Sequence, residues 1–231
     1  MLSFEKVSLS FGRRTILQNV HFELAPKEIV ALLGESGAGK SSIFRLLIGE
    51  WKPTLGSIRL DDFRLESLSL ENLQKYRRQI GIVFQDFRLL PQKTVFENVS
   101  FALEVCGEEE KIPQVVPSLL RLTGLYERKD QFPHSLSGGE KQRVAIARAL
   151  VHNPKILIAD EATGNLDPKN SRDIADLFAR LHREKGLTII LATHDPTLVM
   201  RTNPRIIRLH QGKILFDEKK CPPEKAFQGL L

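Results

Sequence analysis

Only two cysteines, Cys106 and Cys221, occur in the 231 residues, and neither stands in a C-x-x-C or Cys/His spacing. That pattern excludes a disulfide framework and a thiolate metal centre, and it fits a reducing compartment. No apolar run approaches the ~20 residues that would cross a bilayer. The first ten residues alternate polar and apolar side chains and lack the basic-then-apolar layout of a secretory leader. The expectation is a cytosolic chain with no direct membrane insertion, so that any membrane role comes through a partner. No internal repeat or low-complexity tract interrupts the sequence.

What is there is enough for one large domain: 42% of the residues are hydrophobic and 27% charged. The net charge of +6 and pI near 9.4 admit a nucleic acid, an anionic surface or a solvated basic face as the explanation. The densest basic patch, Lys75-Tyr76-Arg77-Arg78, is short and lies in a predicted helix, so a solvated face is expected and no nucleic-acid partner.

The stretch Gly34-Glu35-Ser36-Gly37-Ala38-Gly39-Lys40-Ser41 fits G-x-x-x-x-G-K-[ST] in full. An apolar strand-like run leads in and a helical pattern beginning at Ser42 leads out. Glycines let successive N–H groups converge on phosphate oxygens, and the helix N-terminus adds positive potential. Lys40 suits the β- and γ-phosphates, and the Ser41 hydroxyl suits a Mg²⁺ ligand. This is a nucleotide-phosphate site.

Around it, residues 2–10 and 15–24 read as strands joined by a turn at Gly12-Arg13-Arg14. Phe11, at the first strand's end, is either a core side chain or a stacking platform for a base. A strand over 57–60, a polar helix over 70–79 and a strand over 80–84 follow, the last running into Gln85, whose amide suits a water or a metal. Residues 87–150 read as helical throughout, an insertion in an α/β core formed by 1–86 and 151–217. Within it, Thr94 and Glu97 have capping-box spacing, as do Ser137 and Glu140 in Leu136-Ser137-Gly138-Gly139-Glu140. The latter bare helix start is a second anion-binding device or an ordinary cap.

The buried-strand run 156–159 ends in Asp160-Glu161, where open α/β sheets bind ligands. Asp160 suits Mg²⁺ and Glu161 suits the polarisation of an attacking water. Asp167-Pro168 opens a helix ending near Gly186, and a strand over 187–192 delivers His194 to the same edge. The other five histidines hold no comparable position. Strands over 205–209 and 213–216 flank a turn at Gln211-Gly212, and the tail over 218–231, with Pro222-Pro223, reads as loosely held.

An aromatic strand end, GESGAGKS, a strand-end Gln, LSGGE, ILIADE, NLD and THD occur in this order over nearly the whole chain. In this the chain resembles the nucleotide-binding subunit of the ATP-binding cassette (ABC) family. The stretches VFQDFRLLP (83–91), TVFENV (94–99), ADEATGNLD (159–167) and ATHD (192–195) resemble that family's cell-division branch. Exporter ATPases of the lipoprotein-release and MacB type share the second half almost as well. The resemblance implies an α/β P-loop NTPase fold with a RecA-like core, an antiparallel β subdomain and an α-helical subdomain.

It also implies an ATPase using ATP and Mg²⁺, with two copies closing head to tail on two nucleotides. Phe11 would stack on adenine, and the loop from Gly34 to Ser42 would hold the phosphates. Ser41, Gln85 and Asp160 would hold Mg²⁺, and Ser137 to Glu140 would reach the γ-phosphate from the other chain. Glu161 would be the general base, His194 would sense the γ-phosphate, and Asp167 would join the two sites. A four-span membrane partner would keep the chain on the cytoplasmic face of the membrane and pass a signal that licenses cell-wall hydrolysis. Three positions depart from the commonest pattern: Ala162 replaces a proline, Ser42 a threonine, and Phe11 a tyrosine. A nucleic-acid-linked ATPase is the rival from another class, motivated by the basic pI, and a GTPase lacks its N-K-x-D sequence.

Overall fold

The computed structural model describes residues 1–219 and 221–228. Its strands and helices alternate in the order that the hydrophobic pattern sets. The hairpin β1 (Leu2–Phe11) and β2 (Arg14–Leu24) precedes β3 (Ile29–Leu33), α1 (Lys40–Leu47), β4 (Leu55–Leu60), β5 (Phe63–Arg64), α2 (Leu70–Arg77) and β6 (Ile80–Val83). Three helices follow, α3 (Val95–Glu104), α4 (Ile112–Leu122) and α5 (Gly138–Ala149). Then come β7 (Ile156–Asp160), α6 (Pro168–Lys185), β8 (Thr188–Ala192), α7 (Pro196–Thr202), β9 (Arg205–His210), β10 (Lys213–Glu218) and α8 (Pro223–Phe227).

These strands build two sheets. One is antiparallel, in the order β2-β1-β4-β5. The other has the order β10-β9-β3-β8-β7-β6, parallel except for β10. Since β3, β8, β7 and β6 are parallel neighbours, their carboxyl ends share one edge, and the loops leaving them meet there.

Period-two alternation explains why these strands are apolar at every residue. Ile156, Ile158, Ile190 and Ala192 face the antiparallel sheet and α1, beside Ile43 and Leu47. Leu157, Ala159, Ile189 and Leu191 face the opposite way, onto Val144 and Ile146 of α5 and onto Ile174 and Phe178 of α6. The same cluster takes in Val99 and Leu103 of α3 and Leu120 of α4, so the helical region shares a core with the sheet.

Four local readings are corrected. Residues 87–94 are not helical, because Phe87 and Arg88 take left-handed backbone angles of 57° and 48°. Asn98 and Arg148 hold the carbonyls of that loop instead. The basic patch is solvated at Lys75 and Arg77, as expected, but Tyr76 between them is fully buried and its hydroxyl donates to the Leu47 carbonyl at 2.5 Å. Arg77 donates to the Ile48 carbonyl and Arg78 pairs with Glu108. The tail is docked rather than loose, since Ala226 and Phe227 bury against Ala31, Leu33, Val199 and Ile206. Burying such a ring contributes roughly 1.5–3 kcal/mol; residues 220 and 229–231 of that tail lie outside the described ones. Finally, the short α7 and β5 had no expected counterpart.

Candidate nucleotide site

The loop after β3 closes on α1 through Gly39, whose backbone φ is 112°. A Cβ there would lie 2.6 Å from Leu17 Cδ2, so only glycine allows β2 to buttress the loop this closely. Ala38 adds a second tie, accepting from the Gly212 N–H at the β9–β10 turn. A cavity of about 150 Å³ results, lined by Ser36, Gly37, Gly39, Lys40, Ser41, Ser42 and Glu161. A larger cleft of about 420 Å³ lies near the strand starts, between Pro26, Leu119 and Leu187. Its wall has no phosphate-loop residue or strand-end carboxylate, so chemistry rather than volume locates the site.

Lys40 is 8% exposed and its ammonium donates to the carbonyls of Gly34 (2.7 Å) and Glu35 (3.1 Å). A positive charge so held sits at the N-terminus of α1, where the helix dipole already favours an anion. Ser41, at the start of α1, lies beside Asp160 at the end of β7. Burial pushes the Asp160 carboxyl above its ordinary range, and the neighbouring charge of Glu161 adds to this. The Ser41 hydroxyl and Lys40 pull the other way. A partly buried carboxylate beside a hydroxyl is a donor set of hard oxygens, which suits Mg²⁺.

Glu161, one residue on, has a left-handed backbone (φ 48°) and donates its N–H to the Ala192 carbonyl at 2.9 Å. Its Oε2 lies 3.6 Å from Nδ1 of His194. His194 is placed by two flanking anchors. Buried Thr193 accepts from the Asp195 N–H at 2.9 Å, and Asp195 caps α7 by accepting from Thr197 at 2.8 Å. Gln85, at the end of β6, reaches the same loop: its carbonyl accepts from the Asn165 amide at 3.3 Å. Phe11 is 51% exposed, which removes it from the core, and packs edge-on against Trp51 with centroids 4.9 Å apart. Arg45 of α1 covers the other ring of this pair, 4.7 Å from the Trp51 centroid. An exposed aromatic pair therefore stands against α1.

The LSGGE segment is a complete N-cap. The Ser137 hydroxyl accepts from the Glu140 N–H at 3.2 Å, and the Glu140 carboxylate accepts from the Ser137 N–H at 2.8 Å. That N–H holds the Glu140 carboxyl below its usual range, against a raising effect of burial. With Glu140 turned back, the segment offers a hydroxyl and bare N–H groups. Gly139 is required by a neighbour: an added Cβ would meet Asn170 Oδ1 at 2.0 Å. Asn170 is in turn fixed by Asp167, the N-cap of α6. Among the described residues, none of 136–140 lines the phosphate cavity.

So the fold gathers the phosphate loop, Gln85, Asp160, Glu161 and His194 at one sheet edge, while Ser137 to Glu140 sit on α5 outside it. Asn165 and Asn170, which tie Gln85 and Gly139 in place, escaped the sequence reading. Their one visible trace is a position on either side of Asp167.

This construction is that of an ABC ATPase. The model of the family described as ABC transporter matches residues 17–164, and the chain belongs to that family, binding and hydrolysing ATP on a P-loop α/β fold. The cell division ATP-binding protein FtsE of Mycobacterium tuberculosis (strain ATCC 25618 / H37Rv) is 44% identical over 223 residues, 95% of this chain and 96% of that protein. FtsE of Streptococcus pneumoniae serotype 2 is 45% identical over 207 residues, 89% and 90% of the two chains. The methionine import ATP-binding protein MetN 3 of Shouchella clausii is 41% identical over 93% of this chain but 64% of its own length. Among solved structures, the dimeric ATP-binding cassette MJ0796, in a post-hydrolysis state bound to ADP and Pi, superposes with a TM-score of 0.83. It is 34% identical and covers 96% of this chain and 100% of its own.

Proposed function

We propose that this chain is the ATPase of a cell-division complex, an FtsE-type subunit that closes as a dimer on ATP and moves a membrane partner of FtsX type. In that setting it sits on the cytoplasmic face of the membrane, and its output is control of septal peptidoglycan hydrolysis. The observation that carries the reading is the near full-length match to FtsE proteins at 44–45% identity. It is supported by the 84–94 loop, where Phe87, Leu89 and Leu90 stay half-buried between Arg148 and Asn98. A transporter motor is the second reading, favoured by MetN 3, although that protein is longer than this chain.

The chemistry follows from the residues in hand. Lys40 and the loop N–H groups hold the phosphates, and Phe11 offers a face to adenine. Ser41, Asp160 and Gln85 are the groups that would hold Mg²⁺, which would neutralise phosphate charge when bound. Glu161 takes the proton of the attacking water, and His194, 3.6 Å away, orients that water against the γ-phosphate. Ser137 and its N–H neighbours meet the γ-phosphate from the second copy, which accounts for a cap built outside the cavity.

Affinity capture of the Glu161→Gln chain from solubilised membranes in MgATP tests this. A dimer retained with a four-span membrane protein that transports nothing is expected. Recovery with a solute-conducting partner favours the transporter reading, and a strictly monomeric chain in saturating MgATP overturns the dimer.

A further inference from the structure

A cleft of about 500 Å³ opens between the end of α4, α5 and α6, separate from the nucleotide cavity. It is lined by four arginines, Arg121, Arg143, Arg180 and Arg183, and two aspartates, Asp173 and Asp176. Asp176 is engaged elsewhere, paired with Arg201 of α7 at 2.5 Å. Among the described residues, none of the four arginines has a carboxylate within 4.0 Å. Arg121 lies over the Tyr126 ring at 4.3 Å instead. Arg180 donates from Nη2 to the Leu122 carbonyl, yet its Nε is buried with no partner among the described residues.

Four arginines face a single carboxylate not paired elsewhere, so the cleft carries an excess of positive charge. A compact anion with several acceptor oxygens matches that excess, and planar guanidinium forks match phosphate in particular.

We propose that this cleft is a second anion site, which takes a phosphate-bearing ligand and bridges the helical region to α6. Its position gives the bridge a purpose. Arg143 lies one turn beyond Gly139 on α5 and Asp173 nearly one turn beyond Asn170 on α6, and Gly139 meets Asn170 directly. A ligand held by both helices fixes the LSGGE segment relative to Asp167. The phosphate comes either from a soluble phosphoester or from an anionic lipid headgroup, and the experiment separates these.

Pyrophosphate is titrated calorimetrically into the full chain saturated with MgADP, so that the phosphate loop is already occupied. One further equivalent is expected to bind. The pair Arg121→Gln and Arg183→Gln weakens it at least about tenfold, further ADP does not displace it, and Asp173→Asn tightens it roughly threefold. The gain from Asp173→Asn is one that a damaged fold does not produce. In parallel, phosphatidylglycerol vesicles are sedimented with the chain. Vesicle binding that the arginine pair abolishes, with no pyrophosphate uptake, assigns the phosphate to a headgroup. The proposal is overturned if neither probe binds, if the arginine pair leaves both unchanged, or if further ADP displaces the pyrophosphate.

Discussion

The phosphate loop and the LSGGE segment each lead into a helix N-terminus, but the fold secures them by different means. The loop is clamped from two sides, by Leu17 and by the β9–β10 turn, and each clamp belongs to a sheet. The LSGGE cap is held by its own reciprocal hydrogen bonds and by Asn170, which belongs to a helix. Glu161 lines the cavity of the first region, and no residue of 136–140 does. A rigid half that would carry the chemistry and a helical half that would carry recognition fit the proposed site shared between two copies.

The largest expected effect separates chemistry from recognition. Glu161→Gln lowers phosphate release by about 10²- to 10⁴-fold with MgATP binding retained, as loss of a general base does. Turnover close to the parent's in that variant ends the assignment. Next in size, Lys40→Ala weakens ADP binding by the isolated chain by about 10- to 100-fold, the value of charge-assisted hydrogen bonds. Ser137→Ala leaves ADP binding as it was and lowers only turnover. Equal losses of ADP affinity in the two, measured by fluorescence titration, would erase the distinction between the halves.

Gly139→Ala displaces Asn170 and destabilises the chain by about 1–2 kcal/mol in urea unfolding. Asn170→Ala in the same chain recovers part of this, since the two changes share a contact. The smallest effect is pH-dependent. Glu140 is held below its ordinary carboxylate value, so its ionised form stabilises the fold at neutral pH, and that contribution is lost as pH falls through the lowered value. Glu140→Gln therefore costs about 0.3–1 kcal/mol at pH 7 and nothing at acid pH, as thermal melts across that range can check.

How much of this could be seen beforehand depended on how local each cause was. The phosphate loop, both capping boxes, the Asp167 cap and the strand-end acids are short-range patterns, and the structure has them where the sequence puts them. Phe11 was undecidable because its exposure depends on Trp51, forty residues away. The 87–94 loop looked helical because the groups that hold it open are Asn98 and Arg148, the latter far off in sequence. Docking of Ala226 and Phe227 follows from a sheet face left bare at Ala31 and Leu33, which no periodicity in a five-residue helix reveals. The need for glycine at 139 is set wholly by Asn170 across the packing seam.

One backbone angle has a consequence for how the protein can change. Position 161 adopts a shape that glycine occupies freely and a side chain resists, so drift toward better folding leads away from glutamate there. Variants selected purely for heat tolerance should thus gather at this residue and emerge as well-built proteins that no longer turn over. With Glu161 in the role proposed for it, activity and durability meet at a single φ value, and only one of them argues for keeping the carboxylate.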